Sequence, residues 1–171
     1  MKSLLLLIAT TTLFLSATAQ EDKSKRPSPP ATATQTLEDG TVVTIHYSQP
    51  SVKGRTIGKD LEPKEGKVWR TGANEATTFE VSQDVEVNDQ KLPAGKYALF
   101  TIDNGKEWTI IFNKTWNQWG AYDYKEADDV LRVKTNAGTA KEFAEKLTFN
   151  ISKDGKVVLL WGNKKVDFKV K

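Results

Sequence analysis

The sequence predicts an all-β protein: an antiparallel β-sandwich of about nine or ten strands with one short helix, formed by residues 31–171. Three observations predict it. Apolar side chains recur at every second position in one short run after another, these runs are rich in β-branched and aromatic residues, and Asn, Asp, Gly and Pro punctuate the intervals between them.

The chain begins differently. Residues 1–19 read as an export signal: Lys2 supplies the positive start, residues 4–9 and 13–15 the apolar stretch, and Ala17-Thr18-Ala19 the small-x-small pattern that precedes cleavage. The stretch is too short and too broken by threonines to span a bilayer. The expected product is therefore secreted or periplasmic, begins at Gln20, and inserts in no membrane. Residues 20–30 mix charges with three prolines and two serines, which predicts a flexible leader.

Within the domain, Val43, Ile45 and Tyr47 share one face of a strand, as do Phe79 and Val81; Trp108, Ile110 and Phe112; Leu147, Phe149 and Ile151; and Val166, Phe168 and Val170. Residues 97–102 and 157–161 are apolar on both faces and are expected to be central. Glu38-Asp39-Gly40, Asn88-Asp89, Pro93-Ala94-Gly95, Asp103-Asn104-Gly105 and Asp154-Gly155 supply turns. The single helix is expected over residues 123–130, with Asp123 as its cap and Glu126 at the third position.

Composition narrows the function. A formal net charge of +3, or +2 without Lys2, favours neither nucleic acid nor an anionic membrane. There is no cysteine, and His46 is the only histidine, so disulfides, thiolate metal sites and multi-histidine sites are all excluded. No cofactor or metal is expected.

Two irregular stretches, residues 48–76 and 113–124, break the strand-and-turn rhythm, and long connections on a rigid scaffold often carry specificity. The same stretches carry a family likeness. Tyr47-Ser48-Gln49-Pro50-Ser51-Val52-Lys53-Gly54-Arg55, Lys67-Val68-Trp69-Arg70-Thr71-Gly72-Ala73-Asn74-Glu75-Ala76-Thr77, Leu92-Pro93-Ala94-Gly95-Lys96-Tyr97-Ala98-Leu99-Phe100 and Gln118-Trp119-Gly120-Ala121-Tyr122 together resemble the family catalogued as domain of unknown function 2911. The likeness runs from about Ser28 to Val170. It implies an exported bacterial protein and carries over no catalytic residue.

Candidate site residues follow from side-chain chemistry. Only four of the 25 basic residues are arginines, and arginine's planar fork grips carboxylates or phosphates. Arg55, Trp69, Arg70, Asn74, Glu75 and Trp119 are expected to line a ligand site: Arg for an anionic group, Asn and Glu for hydroxyls or amides, Trp for stacking. Against this stands a structural role, in which Arg70 pairs with Glu75 or another carboxylate and pins the loop. Trp116, Tyr122 and Tyr124, beside Asn113, Asn117 and Gln118, form an aromatic cluster suited either to sugar faces or to plugging one end of the sandwich.

Weaker candidates are His46 with Thr44 and Ser48, which lacks a nucleophile elbow, and carboxylate pairs among Glu62, Glu65 and Glu75. Calcium at Asp103, Asn104, Asp128 or Asp129 lacks the spacing of a known loop. Asn113-Lys114-Thr115 and Asn150-Ile151-Ser152 match the glycosylation sequon. The expectation is a binding or interaction module for a small polar ligand, carbohydrate or partner protein of the envelope. The alternatives are a carboxylate-dependent hydrolase, using Glu75 with a second carboxylate or with His46, and a structural envelope protein.

Overall fold

The computed structural model describes residues 22–171. The expected export signal and the first two residues of the leader lie outside the described residues.

Ten strands follow one another: β1 (Pro30–Thr36), β2 (Val42–Ser48), β3 (Val68–Trp69), β4 (Ala73–Val81), β5 (Val85–Val87), β6 (Gln90–Leu92), β7 (Gly95–Asn104), β8 (Glu107–Asn113), β9 (Asp129–Ile151) and β10 (Lys156–Lys169). Seven of them pair antiparallel in the order β1-β2-β4-β7-β8-β9-β10, with β3 alongside β7 and a separate β5–β6 hairpin. The all-β antiparallel expectation holds, in the form of one long sheet curled into a half-barrel whose arms face each other.

Alternation explains the curl. The inward side chains of β2, β4, β7 and β8 meet those of β9 and β10 in one core. Phe168 on β10 reaches across the interior to Phe79 on β4 and Phe112 on β8, with ring centroids 6.1 and 5.9 Å apart, and Tyr47 meets Phe149 edge-on at 5.0 Å. Such tilted and edge-to-face rings add to the stabilisation from burial itself. The turn chemistry is local: Asn88 and Asp89 both hold positive φ (46° and 64°), as a two-residue type I′ turn requires, and so join β5 to β6.

Two features depart from the alternating scheme. β9 is 23 residues long. Its first part pairs with β8 and its remainder with β10, so one strand belongs to both arms. β10 breaks register around Gly162, at φ 59°, where a β-carbon would stand 2.6 Å from Ile57 Cδ1; the bulge makes room for that side chain.

The helix expected over residues 123–130 is instead one 3-10 turn, Glu126–Asp128, between extended Lys125 and Asp129. Tertiary partners override the capping signal. Asn113 Nδ2 donates to Lys125 O and Asp129 Oδ1, at 3.0 and 2.8 Å, and Tyr124 Oη donates to Asp129 Oδ2 at 2.6 Å. Asp129 is thereby drawn into β9.

The segment expected to be a flexible leader is exposed over residues 22–25 and touches the sheet through Lys23, Arg26 and Ser28. It forms a 3-10 turn, Lys23–Lys25, capped by the Asp22 carboxylate, and Lys23 and Arg26 reach Glu75.

Phe168→Ala should lower unfolding free energy by about 3–5 kcal/mol, the usual cost of deleting a buried ring, with the β signal retained at low denaturant. Urea titration followed by tryptophan fluorescence measures it. A loss below about 1 kcal/mol would mean the two arms are not locked by this contact.

Candidate functional site

The second face of the sheet creates the site. β7 and β8 are apolar on both sides: Ala98, Phe100 and Ile111 point away from the main core, form a second cluster with Ala76, and are packed by Val68, Ile102, Ala121 and Tyr124. Residues 114–125 lie over this patch. Asn113 closes the connection, since its Oδ1 accepts from Thr115 N at 2.9 Å while its amide holds Lys125 and Asp129. The acceptor Asn113 of the first sequon is therefore fully buried; Asn150 of the second is exposed. Along one margin the covering segment is stitched to β4: Ala76 N donates to Gln118 O, Gly120 N donates to Asn74 O, both at 3.0 Å, and Glu75 bridges Trp119.

Arg70 lies under this segment. A β-carbon on Gly120, at φ 67°, would stand 2.8 Å from Arg70 Nη1, so glycine is required for the chain to cross the guanidinium. Beside Arg70 the backbone is strained. Thr71, β-branched and fully buried, holds φ 53°, a conformation worth about 1–3 kcal/mol against it. Three contacts keep it there: its Oγ1 bonds Trp69 O and Thr101 Oγ1, and its carbonyl accepts from Thr77 Oγ1.

Two hollows of about 260 and 310 Å³ share Glu62, Trp69 and Arg70. The first also takes in Arg55, Asp60 and Trp161, the second Ala121 and Tyr122. Among the described residues Arg70 forms no ion pair, and its Nε is buried without a hydrogen-bond partner. Arg55 likewise meets no carboxylate; it donates to Ser51 O (2.7 Å) and Val52 O (3.1 Å) of its own loop. The nearby acids face the backbone, Asp60 accepting from Thr56 N at 2.9 Å and Glu62 from Lys64 N at 2.8 Å. Trp161 Nε1 donates to Glu62 O at 2.8 Å and ties this wall to β10.

The six expected site residues thus divide. Arg55, Trp69 and Arg70 meet in one cleft, although Trp69 is 3% exposed with Nε1 donating to Gly72 O, and so offers no open stacking face. Asn74, Glu75 and Trp119 gather elsewhere. Asn74 Nδ2 donates to Ser28 O at 3.0 Å, while Glu75 pairs with Lys23 at 2.8 Å and Arg26 at 3.0 Å. The Arg26 guanidinium stands 5.8 Å from the centre of the Trp119 ring. Arg70 therefore does not pair with Glu75.

Burial works to raise the Glu75 carboxyl, but hydrogen bonds from Lys23, its own backbone and Arg26 outweigh it and hold the group at about 2. Burial and then the hydrogen bond to Asp129 push the Tyr124 phenol well above its ordinary value, and its ring packs edge-on to Phe100. Trp116, Trp119 and Tyr122 are the exposed members of the aromatic cluster. His46 Nδ1 hydrogen-bonds Thr32 Oγ1 at 2.9 Å, on the face of the sheet opposite the core.

The acids considered for calcium are spoken for: Asp103 by Lys164, Asp128 by Lys114 and Thr115, and Asp129 by Tyr124, Asn113 and Arg132. Among the described residues no group of three or more acids or histidines converges.

Sequence reasoning missed Lys23, Arg26, Asp60 and Trp161. The scarcity of arginine was a usable signal for Arg26; nothing local marked the others, which come from distant parts of the chain.

A family profile described as "Protein of unknown function (DUF2911)" matches residues 28–170, so the chain belongs to that family. No curated protein and no solved structure matches it.

Because the Glu75 carboxyl is depressed in the folded state, the unfolded chain binds the extra proton. Stability from this ion pair is complete above 4.5 and is lost as pH falls through about 2. Glu75→Gln should be less stable than the wild type near neutrality, and the gap should close on acidification across that window in thermal melts. A gap independent of pH would exclude the ion pair as its source.

Proposed function

We propose that this family member is an exported binding module, holding a small polar ligand in the cleft between Arg55 and Arg70. One observation carries the reading. Of the four arginines, Arg26 and Arg132 have carboxylate partners, whereas Arg55 and Arg70 have none among the described residues, and these two line the same hollow.

The half-buried Arg70 guanidinium is costly to keep without a counter-ion, since a buried charge is tolerated when something pairs with it; Arg55 is exposed and bears no such cost. An anionic ligand group supplies that partner, and arginine's fork binds carboxylate or phosphate through two parallel hydrogen bonds. Asp60 and Glu62, each with one oxygen on a backbone amide, remain able to accept from hydroxyl or amino groups further along the ligand. The strain stored at Thr71 sits where binding sites commonly store it.

The hydrolase alternative draws little support from Glu75. A carboxyl held at about 2 by two cations is ionised throughout the physiological range and has no proton to give a leaving group. His46 lines the same hollow as Glu75, but no hydrogen bond joins the two, and its Nδ1 is engaged with Thr32 Oγ1.

Succinate, inorganic phosphate and glutamate are suitable probes by calorimetry and thermal shift. At least one should bind, more weakly as salt rises. Arg70→Met should weaken it by about tenfold or more, the scale of a charged hydrogen bond, while the free variant melts no lower than the wild type. Failure of all three probes to bind, or an Arg70→Met variant that binds them unchanged, would sink the reading.

A further inference from the structure

A third hollow, on the far margin of the covering segment, has the opposite chemistry. It measures about 280 Å³ and lies where Trp116, Asn117 and Gln118 meet the Thr32, His46 and Thr78 positions of β1, β2 and β4. These three are paired in register across the strands and share the face opposite the main core. We propose that this hollow is a saccharide site, taking one neutral sugar ring against Trp116.

Two buried atoms point to a ligand that donates hydrogen bonds. Thr78 and Gln118 are each 8% exposed and both line the hollow, yet Thr78 Oγ1 and Gln118 Oε1 have no hydrogen-bond partner. The Gln118 amide is fixed in orientation, because its Nε2 donates to Thr115 O and the oxygen is the unpartnered end. An amide oxygen only accepts. A carboxylate has no proton to offer it, whereas a sugar hydroxyl does.

The charges at the rim argue the same way. Glu75 pairs with Lys23 at 2.8 Å and with Arg26 at 3.0 Å, and Lys96 faces Glu80 at 4.0 Å, so each of these charges already has a partner of opposite sign. The Lys96 ammonium also stands 4.4 Å from the Trp116 ring centre, and Trp116 keeps 41% of its surface exposed. The indole face that Lys96 leaves uncovered is the flat apolar surface on which the C–H face of a pyranose rests. The volume is below the roughly 300–1,000 Å³ of pockets for larger ligands, which limits the occupant to about one ring.

Thr78→Val separates this site from a packing defect. Removing an unpartnered buried hydroxyl should raise the melting temperature of the free protein, and the same change should weaken binding of methyl β-D-glucopyranoside or N-acetyl-D-glucosamine by roughly fivefold. Trp116→Ala should abolish binding of either sugar, followed by calorimetry on the full mature chain. Arg70→Met should bind them as the wild type does, which keeps this site distinct from the arginine cleft. Absence of binding by both sugars overturns the proposal. So does a Thr78→Val variant that gains stability yet binds sugar unchanged, or sugar binding that survives Trp116→Ala.

Discussion

The two apolar faces of β7 and β8 are the constraint on which the rest of the structure depends. A sheet with one oily face needs one partner layer; here the curled arms of the half-barrel provide it for Leu99, Ile110 and Phe112. Phe100, Ile111 and Ala98 then remain on the outside and must also leave water. Burial of aromatic and branched side chains is worth roughly 1.5–3 kcal/mol each, enough to hold residues 114–125 down as an irregular second layer. That layer has no complete ladder of its own, so its backbone groups are met piecemeal by Asn113, by the start of β4 and by Asp128. Its margins are consequently uneven, and the hollow beside Arg70 and Tyr122 and the one beside Trp116 open there.

The two margins differ because their neighbours differ. On one side the covering segment crosses Arg70, and the 49–72 connection supplies Arg55, Asp60 and Glu62, giving a cleft rich in charge. On the other it meets the polar ends of β1, β2 and β4, where threonines and a histidine alternate with the core residues, giving hydroxyls and amides beside an indole. One apolar patch thus produces two chemically distinct surfaces, and the aromatic ring of Tyr124, anchored through Asp129, holds the segment between them.

How much of this was legible in the sequence follows from the range of the forces involved. The alternation in β2, β4, β8 and β10 is local and was readable, as was the Asn88-Asp89 turn, whose positive φ values leave few alternatives. The long β9 was not. From Lys134 to Lys146 its residues are mostly polar and partly exposed, because it spans two neighbours along a lightly buried edge, so the period-two signal fades. The helix expected after Asp123 failed for a related reason: a cap worth about 1 kcal/mol competes with Asn113 and Tyr124, which are distant in sequence or committed to tertiary contacts. Of the residues chosen for their chemistry, Arg55 and Arg70 line one hollow. Proximity of Asn74 and Glu75 in sequence proved misleading, since β4 turns them to the opposite side of the strand entry, where Ser28, Lys23 and Arg26 wait.

Lys23 has a double position: it neutralises Glu75 and forms part of the wall beside Trp116. A reporter or solid support attached close to Lys23 would therefore crowd that hollow. The carboxyl end is a quieter handle, because Lys171 is fastened to Asp89 on the β5–β6 hairpin and lines neither the arginine cleft nor the indole hollow.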